Sequence, residues 1–308
     1  MTFKVLASDP LDAGAAKAMR EAGLIVDERT SLTPEALVRE IVEYDAIVVR
    51  SATKVRAEVI DAGKRLKLIV RAGVGLDNVD AAHARAKGIE VRNTPGASSN
   101  SVAELALGHM LSLARHIGRG TASTKAGKWE KKQLEGVEIE GKTLGIIGIG
   151  RIGQSLARKA HGLGMTVLCY DAVLTASPLP GITRFVPLGD LLGRSDFISL
   201  HIPYDPAVGA TIGEKEFAQM KPGVRIVNCA RGGVVDEAAL VRALETGKVA
   251  GAALDVFATE PPAADDPLLR QTNVSLTPHI GAATEEAQAR VGDEVARIVI
   301  EFAKTARK

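Results

Sequence analysis

Leu144-Gly145-Ile146-Ile147-Gly148-Ile149-Gly150-Arg151-Ile152-Gly153 decides the reading of this chain. The apolar run is a buried strand, the glycines are a tight turn, and a helix starts behind them. Gly148 lets the chain turn sharply, Gly150 lets the backbone approach a pyrophosphate, and Gly153 lets the helix pack close to the strand. The N–H groups freed at the helix start then face the phosphates. A strand-turn-helix without a ligand has the same outline, so the context has to separate the two. A second apolar run, Met165 to Tyr170, ends in Asp171, about 20 residues past the turn, as a dinucleotide site expects. A carboxylate there accepts hydrogen bonds from ribose hydroxyls and repels a 2′-phosphate. The expected cofactor is therefore NAD rather than NADP.

The chain has 308 residues, which suits two domains. Its 46% hydrophobic and 25% charged residues are those of a soluble globular protein. A net charge of +2 gives no electrostatic case for nucleic acid or a membrane surface, and the 39 basic residues are spread along the chain. Cys169 and Cys229 lie in apolar, strand-like runs and read as core thiols, not a disulfide or a metal pair. No metal is expected. Met1-Thr2-Phe3-Lys4 leads straight into a strand, and no stretch has signal-peptide or transmembrane character. A cytoplasmic protein is expected.

Strands are predicted at 3–8, 24–26, 46–50, 67–71 and 88–92. Helices are predicted over about Leu11–Ala22 and from Thr33-Pro34-Glu35, with Thr33 as cap and Pro34 in the first turn. Asn93-Thr94-Pro95-Gly96 is a break. One long helix is predicted from about Ser98 to Ser123, then a polar segment, Lys125 to Glu140, with the only tryptophan, Trp129. That indole is expected to anchor its loop and to pin a dimer arm. Strands follow near 143–148, 165–170, 196–200, 224–229, 249–254 and 273–277. A last helix, about Ala283–Ala303, is expected against the first domain. The fold class is α/β, two doubly wound parallel-sheet domains, the second a Rossmann dinucleotide-binding domain. The expected boundaries are 1–97 plus 284–308 for the first and 98–283 for the second.

Three polar groups fall at strand ends of the second domain, where ligands of such sheets lie. Asn228-Cys229-Ala230-Arg231-Gly232-Gly233 offers an arginine. Ala258-Thr259-Glu260-Pro261-Pro262 offers a glutamate, and Thr277-Pro278-His279-Ile280-Gly281 a histidine. Each alone reads as a surface charge, a loop charge or a structural histidine. Together on a dinucleotide fold they hold what alcohol oxidation needs: a base, a carboxylate to orient it, and a guanidinium for a carboxylate or carbonyl.

The chain resembles the D-isomer-specific 2-hydroxyacid dehydrogenases over nearly its whole length. The resemblance is carried by Arg71-Ala72-Gly73-Val74-Gly75-Leu76-Asp77-Asn78-Val79-Asp80, Asn93-Thr94-Pro95-Gly96, Ser101-Val102-Ala103-Glu104-Leu105 and Gly127-Lys128-Trp129-Glu130. It continues through the glycine turn, the arginine motif up to Glu237, Ala252-Ala253-Leu254-Asp255-Val256-Phe257 and Pro278-His279-Ile280-Gly281-Ala282. Cys229 leans towards the family's phosphoglycerate dehydrogenase branch. The resemblance implies His279 as acid/base, Glu260 as its partner and Arg231 as anchor of the substrate carboxylate. It implies that Asp255 holds the nicotinamide amide. Arg151, Ile152, Asp171, Ile202, Cys229, Ala230 and Arg231 match cofactor contacts; Gly148, Gly150, Gly153, His201, Pro203, His279 and Gly281 complete that set. The backbone at Val74 and Gly75 resembles the loop that receives the substrate carboxylate. Arg50, Arg71 and Asn100 match the family's substrate cleft, beside Arg231 and His279. The expected substrate is a phosphorylated 2-hydroxy acid, D-3-phosphoglycerate, oxidised with NAD to 3-phosphohydroxypyruvate in serine biosynthesis. The expected assembly is a homodimer through the segment around Trp129.

The chain departs from the pattern in two places. Many members carry a C-terminal regulatory domain that senses serine. This chain stops at Lys308, so that feedback is expected to be absent. Lys131 stands where an arginine is common, and keeps the cation but not the bidentate fork. Two alternatives stay open. One is a glyoxylate, hydroxypyruvate or D-lactate-type reductase, distinguished by whether Arg50, Lys54, Arg71 and Lys131 hold a phosphate. The other is an NAD-sensing binding protein on the same fold.

Overall fold

The computed structural model describes residues 2–306. The chain divides into two compact units, one of residues up to Ser98 together with those from Ala282 on, the other Ser99–Gly281. Residues 1, 307 and 308 of the expected first domain lie outside the described residues.

In the first unit, β1 (Lys4–Ala7), α1 (Ala13–Glu21), β2 (Ile25–Glu28), α2 (Pro34–Glu40), β3 (Ala46–Val49), α3 (Ala57–Ala62), β4 (Leu68–Arg71), α4 (Ala81–Ala86) and β5 (Glu90–Asn93) alternate along the chain. The five strands are parallel in the order β2-β1-β3-β4-β5. Helices cover both faces, so the strands are continuous apolar runs without alternation: Ala46, Ile47, Val48 and Val49 are all buried. Asp12 and Thr33 cap α1 and α2 by accepting from the N–H groups of Ala15 and Ala36 at 3.1 and 3.2 Å.

The second unit opens with α5 (Ser99–Arg115) and α6 (Ile117–Lys125). One helix was expected here. The structure breaks it at His116, which takes a left-handed φ of +51°. The break is held from outside the helix: Glu135 O receives His116 Nε2 at 3.1 Å, and Val137 N donates to Ala114 O at 2.9 Å. Then follow β6 (Thr143–Ile147), α7 (Arg151–Gly162), β7 (Thr166–Tyr170), β8 (Thr183–Phe185), α8 (Leu188–Arg194), β9 (Phe197–Leu200), α9 (Glu214–Gln219), β10 (Val224–Asn228), α10 (Glu237–Glu245), β11 (Val249–Leu254) and β12 (Val274–Leu276). All seven strands are parallel, in the order β8-β7-β6-β9-β10-β11-β12. The three-residue β8 was not anticipated. The chain works outward from β6 in one direction, then restarts at β9 on its other side. Ligands of doubly wound sheets lie at the carboxyl ends of strands where the order reverses.

The last helix, α11 (Glu285–Ala306), belongs to the first unit. Ala287, Val291, Val295, Ile298 and Val299 recur at helical spacing and are buried. Val291, Val295, Ile298 and Val299 pack with Phe3, Val5, Met19 and Leu68 in one core cluster. Fully burying one such side chain is worth about 1.5–3 kcal/mol. Among the described residues no helix is long and apolar enough to cross a membrane.

Candidate active site

The glycine turn joins β6 to α7 at the reversal point. Gly148 has φ +93°, and a Cβ there would lie 2.5 Å from the carbonyl oxygen of His201, just past β9. A Cβ on Gly153 would run into the carbonyl oxygen of Gly148, so α7 packs directly against the turn. A Cβ on Gly150 would meet nothing within 4 Å. Gly150 is also the N-cap of α7, and no side chain caps that helix. The turn thus presents open space and uncapped N–H groups at a helix start, which is what a pyrophosphate requires. The residues present fit a dinucleotide.

Asp171, just past β7, is tied into this turn. Its Oδ2 accepts from Ile149 N at 3.0 Å; its Oδ1 accepts from Val173 N and Leu174 N at 2.9 and 3.2 Å. The carboxylate is therefore already oriented towards the turn. Arg151 is exposed on the first turn of α7, Ile152 and Ile202 are half-buried, and Pro203 is exposed. His201 Nε2 lies 2.9 Å from Ser199 Oγ; Nδ1 is enclosed with no hydrogen-bond partner. Burial pulls the pKa of this imidazole down to about 4. Burial also raises the Cys229 thiol, helped by the charge of Asp255, and raises that of Cys169. Both cysteines are free, buried and protonated, so neither serves as a nucleophile.

Arg231, Glu260 and His279 lie on loops after the adjacent strands β10, β11 and β12. Asn228 shapes the first loop: Oδ1 accepts from Ala230 N at 3.0 Å and Nδ2 donates to Arg231 O at 2.9 Å. Arg231 Nη1 donates to Ala230 O at 2.6 Å. Glu260 Oε1 accepts from Phe257 N at 3.1 Å, which turns Oε2 to His279 Nδ1, 2.8 Å away. A carboxylate only accepts, so Nδ1 carries the proton and Nε2 offers its lone pair. A cavity of about 490 Å³ beside the pair is lined by Phe257, Pro261, Pro262, Leu276, Thr277 and Pro278 as well as by Glu260 and His279.

Asp255, 1% exposed, holds the histidine loop from below. Its Oδ1 accepts from Thr277 Oγ1 at 2.6 Å and Ile280 N at 2.8 Å, and its Oδ2 from Gly281 N at 2.8 Å. His279 itself has φ +54°. Two carboxylates thus divide the work: Asp255 holds the backbone after His279 and the Thr277 hydroxyl before it, and Glu260 fixes the ring.

Of the other predicted substrate residues, Arg50, Arg71, Val74 and Gly75 lie in the first unit and Asn100 in the second. Arg50 follows β3, and Arg71 ends β4. Val74 and Gly75 follow in a loop where Asn93 Nδ2 donates to Val74 O at 2.5 Å and Thr94 N to Gly73 O at 3.0 Å. Lys54 is exposed, as is Lys131 on a 3₁₀ turn, Lys131–Gln133, of the second unit. Asn100 is occupied within the second unit. Its Oδ1 accepts from Lys159 Nζ at 2.6 Å, and its Nδ2 donates to Glu104 Oε1 at 2.7 Å. The bond to Lys159 ties α5 to α7, and the bond to Glu104 lies within α5. Trp129 is 84% exposed, so it does not anchor its own loop as expected.

Sequence reasoning missed three supporting residues. Asp9, buried just past β1, accepts from Arg50 N at 2.6 Å, Thr53 N at 3.2 Å and Thr53 Oγ1 at 2.8 Å. Asn78 Nδ2 closes the same loop by donating to Arg50 O and Thr53 O at 2.8 and 2.6 Å. Glu237 receives Ala258 N at 2.7 Å and so pins the loop of Glu260; burial raises its pKa, as do the nearby Asp266, Asp236 and Glu260.

Comparison with known proteins agrees with this geometry. Residues 107–281 match the D-isomer specific 2-hydroxyacid dehydrogenase, NAD binding domain. A hydroxypyruvate reductase of Thermotoga maritima is 50% identical over 295 residues, 95% of this chain and 96% of that one. A D-3-phosphoglycerate dehydrogenase of Archaeoglobus fulgidus is 48% identical over 303 residues, which take in 98% of this chain and 58% of that longer protein. Among solved structures, D-lactate dehydrogenase from Aquifex aeolicus, complexed with NAD and lactic acid, has a TM-score of 0.84 at 32% identity, covering 98% of this chain and 96% of that one. A glycine turn open to a pyrophosphate, a carboxylate-held histidine on the same sheet and these matches converge: the chain belongs to the NAD-dependent D-isomer-specific 2-hydroxyacid dehydrogenases.

Proposed function

We propose that this enzyme oxidises D-3-phosphoglycerate at C2 to 3-phosphohydroxypyruvate, with His279 as acid/base. The observation that carries the chemistry is the 2.8 Å contact between His279 Nδ1 and Glu260 Oε2. It leaves Nε2 as the basic nitrogen, which takes the proton of the 2-hydroxyl as the C2–H bond breaks. NAD, when bound, accepts the hydride from C2. The imidazolium so formed is stabilised by the ionised Glu260. In the reverse direction the same nitrogen returns the proton to the carbonyl oxygen. Arg231 binds the substrate carboxylate, and its guanidinium suits that planar group. Arg50 and Arg71 are assigned to the phosphate. The clamp of Asp9 and Asn78 on the Arg50 loop supports this, since a preorganised cation loses less freedom on binding.

A second reading, reduction of hydroxypyruvate, is favoured by the 50% identity to the Thermotoga maritima reductase. The two differ in the need for a phosphate site. Steady-state turnover of 3-phosphoglycerate with NAD is compared with that of hydroxypyruvate with NADH, in the parent and in Arg50→Ala and Arg71→Ala. Each substitution is expected to cost about 1.5–3 kcal/mol in kcat/KM for the phosphorylated substrate, the worth of one charge-assisted contact. Equal losses on both substrates would remove the phosphate assignment. The homodimer reading rests on the exposed Trp129, with Ile117 54% exposed on α6.

A further inference from the structure

His109 lies in the middle of α5, 4% exposed, inside an otherwise apolar stretch. Both ring nitrogens are engaged. Nδ1 is 3.0 Å from Ser275 Oγ and Nε2 is 3.0 Å from Thr277 Oγ1. Ser275 and Thr277 are two residues apart along an extended segment, so both present their hydroxyls to the same face. Ser275 Oγ also lies 3.3 Å from Ser112 Oγ. Thr277 Oγ1 reaches Asp255 Oδ1, the carboxylate that holds the peptide N–H groups of Ile280 and Gly281. A continuous chain of hydrogen bonds therefore runs from α5 to the backbone that follows His279.

Counting protons gives the chain a direction. An ionised Asp255 can only accept, so the single hydroxyl proton of Thr277 points at it. The Thr277 oxygen must then receive its other bond, and the donor available is His109 Nε2–H. Nδ1 of a neutral ring is left to accept from the Ser275 hydroxyl, whose proton is shared between the ring and Ser112 Oγ, its acceptor at 3.3 Å. The reverse order is self-consistent only with a proton on Asp255, which would require His109 to be the Nδ1–H form. Burial lowers the pKa of His109, while the charge of Asp255 works against that shift. A neutral ring next to an ionised Asp255 satisfies every partner.

We propose that His109 is a positioning residue for hydride transfer. Held as the Nε2–H imidazole, it fixes the direction of the chain through Thr277 and so keeps Asp255 bonded on both sides of His279. This deepens the acid/base reading of His279 and rests on it. It does not place His109 in contact with substrate.

The first test needs no activity. Nitrogen-15 chemical shifts of the histidine-labelled protein distinguish the two tautomers and the cation. His109, assigned by the signals lost in His109→Gln, is expected to be neutral with the proton on Nε2. An Nδ1–H ring or an imidazolium at neutral pH would overturn the proposal. The second test is kinetic, in whichever of 3-phosphoglycerate oxidation and hydroxypyruvate reduction is faster. His109→Leu fills the space but breaks the chain, and is expected to lower kcat on the order of tenfold or more, with both KM values changed little. His109→Gln keeps a donor for Thr277 and an acceptor for Ser275, and is expected to recover most of the loss. Parent kcat in the leucine variant, or a glutamine variant no better than leucine, would reduce His109 to packing. His279→Ala run alongside separates the two ideas: parent turnover there removes the acid/base reading, while the tautomer still decides the direction of the chain.

Discussion

A left-handed backbone at a residue with a Cβ costs about 1–2 kcal/mol, and His279 adopts one at φ +54°. The three hydrogen bonds to Asp255 and the fixed φ of Pro278 hold it there, so the ring enters the reaction already aimed. His201 illustrates the opposite use of a buried imidazole. Its pKa lies at about 4 in the fold, against about 6.5 for an unfolded histidine. Between these values the unfolded chain binds the proton and the folded chain does not. The contribution to stability is intact above about pH 6.5 and is lost progressively as pH falls towards 4. On that basis His201 removes about 2 kcal/mol of stability between pH 7 and pH 5, and His109, lowered by burial, adds in the same direction. Denaturant midpoints at the two pH values check this, with His201→Asn flattening the dependence. An unchanged slope in the variant would mean that His201 does not titrate as its burial requires.

At the scale of elements, the Arg50 loop is built by contacts across 41 residues of sequence, from β1 to the end of β3. Asp9→Ala leaves the N–H groups of Arg50 and Thr53 without this acceptor, at about 1–3 kcal/mol, while the Thr53 hydroxyl keeps Ser8 O at 3.3 Å. It is expected to raise KM for 3-phosphoglycerate several-fold more than that for hydroxypyruvate, with Asp9→Asn intermediate. Equal effects on the two substrates would make Asp9 a purely structural support. The same distances explain what the sequence made legible. Buried parallel strands such as Ile47–Val49 and Ile69–Val70 announce themselves as apolar runs between turns. The glycine turn, Arg231, Glu260 and His279 stand out because glycine or proline flanks them. Asp9, although Pro10 follows it, and Asn78 do not reveal their partners, which become neighbours only after folding. His109 looks like one polar residue in a core helix, and its partners lie 166 and 168 residues away. The break at His116 rests on the dihedral angle of one residue, and β8 is too short for any periodicity to show.

For the molecule as a whole, the segment around Trp129 leaves a large indole in solvent, which a lone soluble chain gains nothing by exposing. The homodimer reading expects a mass of twice 32.3 kDa by light scattering and a shift towards the monomer in Trp129→Ala. A monomeric parent would end that reading without touching the catalytic one. The catalytic account stands on His279, and the most direct measurement pairs turnover with cofactor binding in His279→Ala. The account predicts NADH formation from a D-2-hydroxy acid by the parent, a drop of roughly 100-fold or more in the variant, and an NAD dissociation constant little changed by calorimetry. A variant that turns over at the parent rate would contradict it.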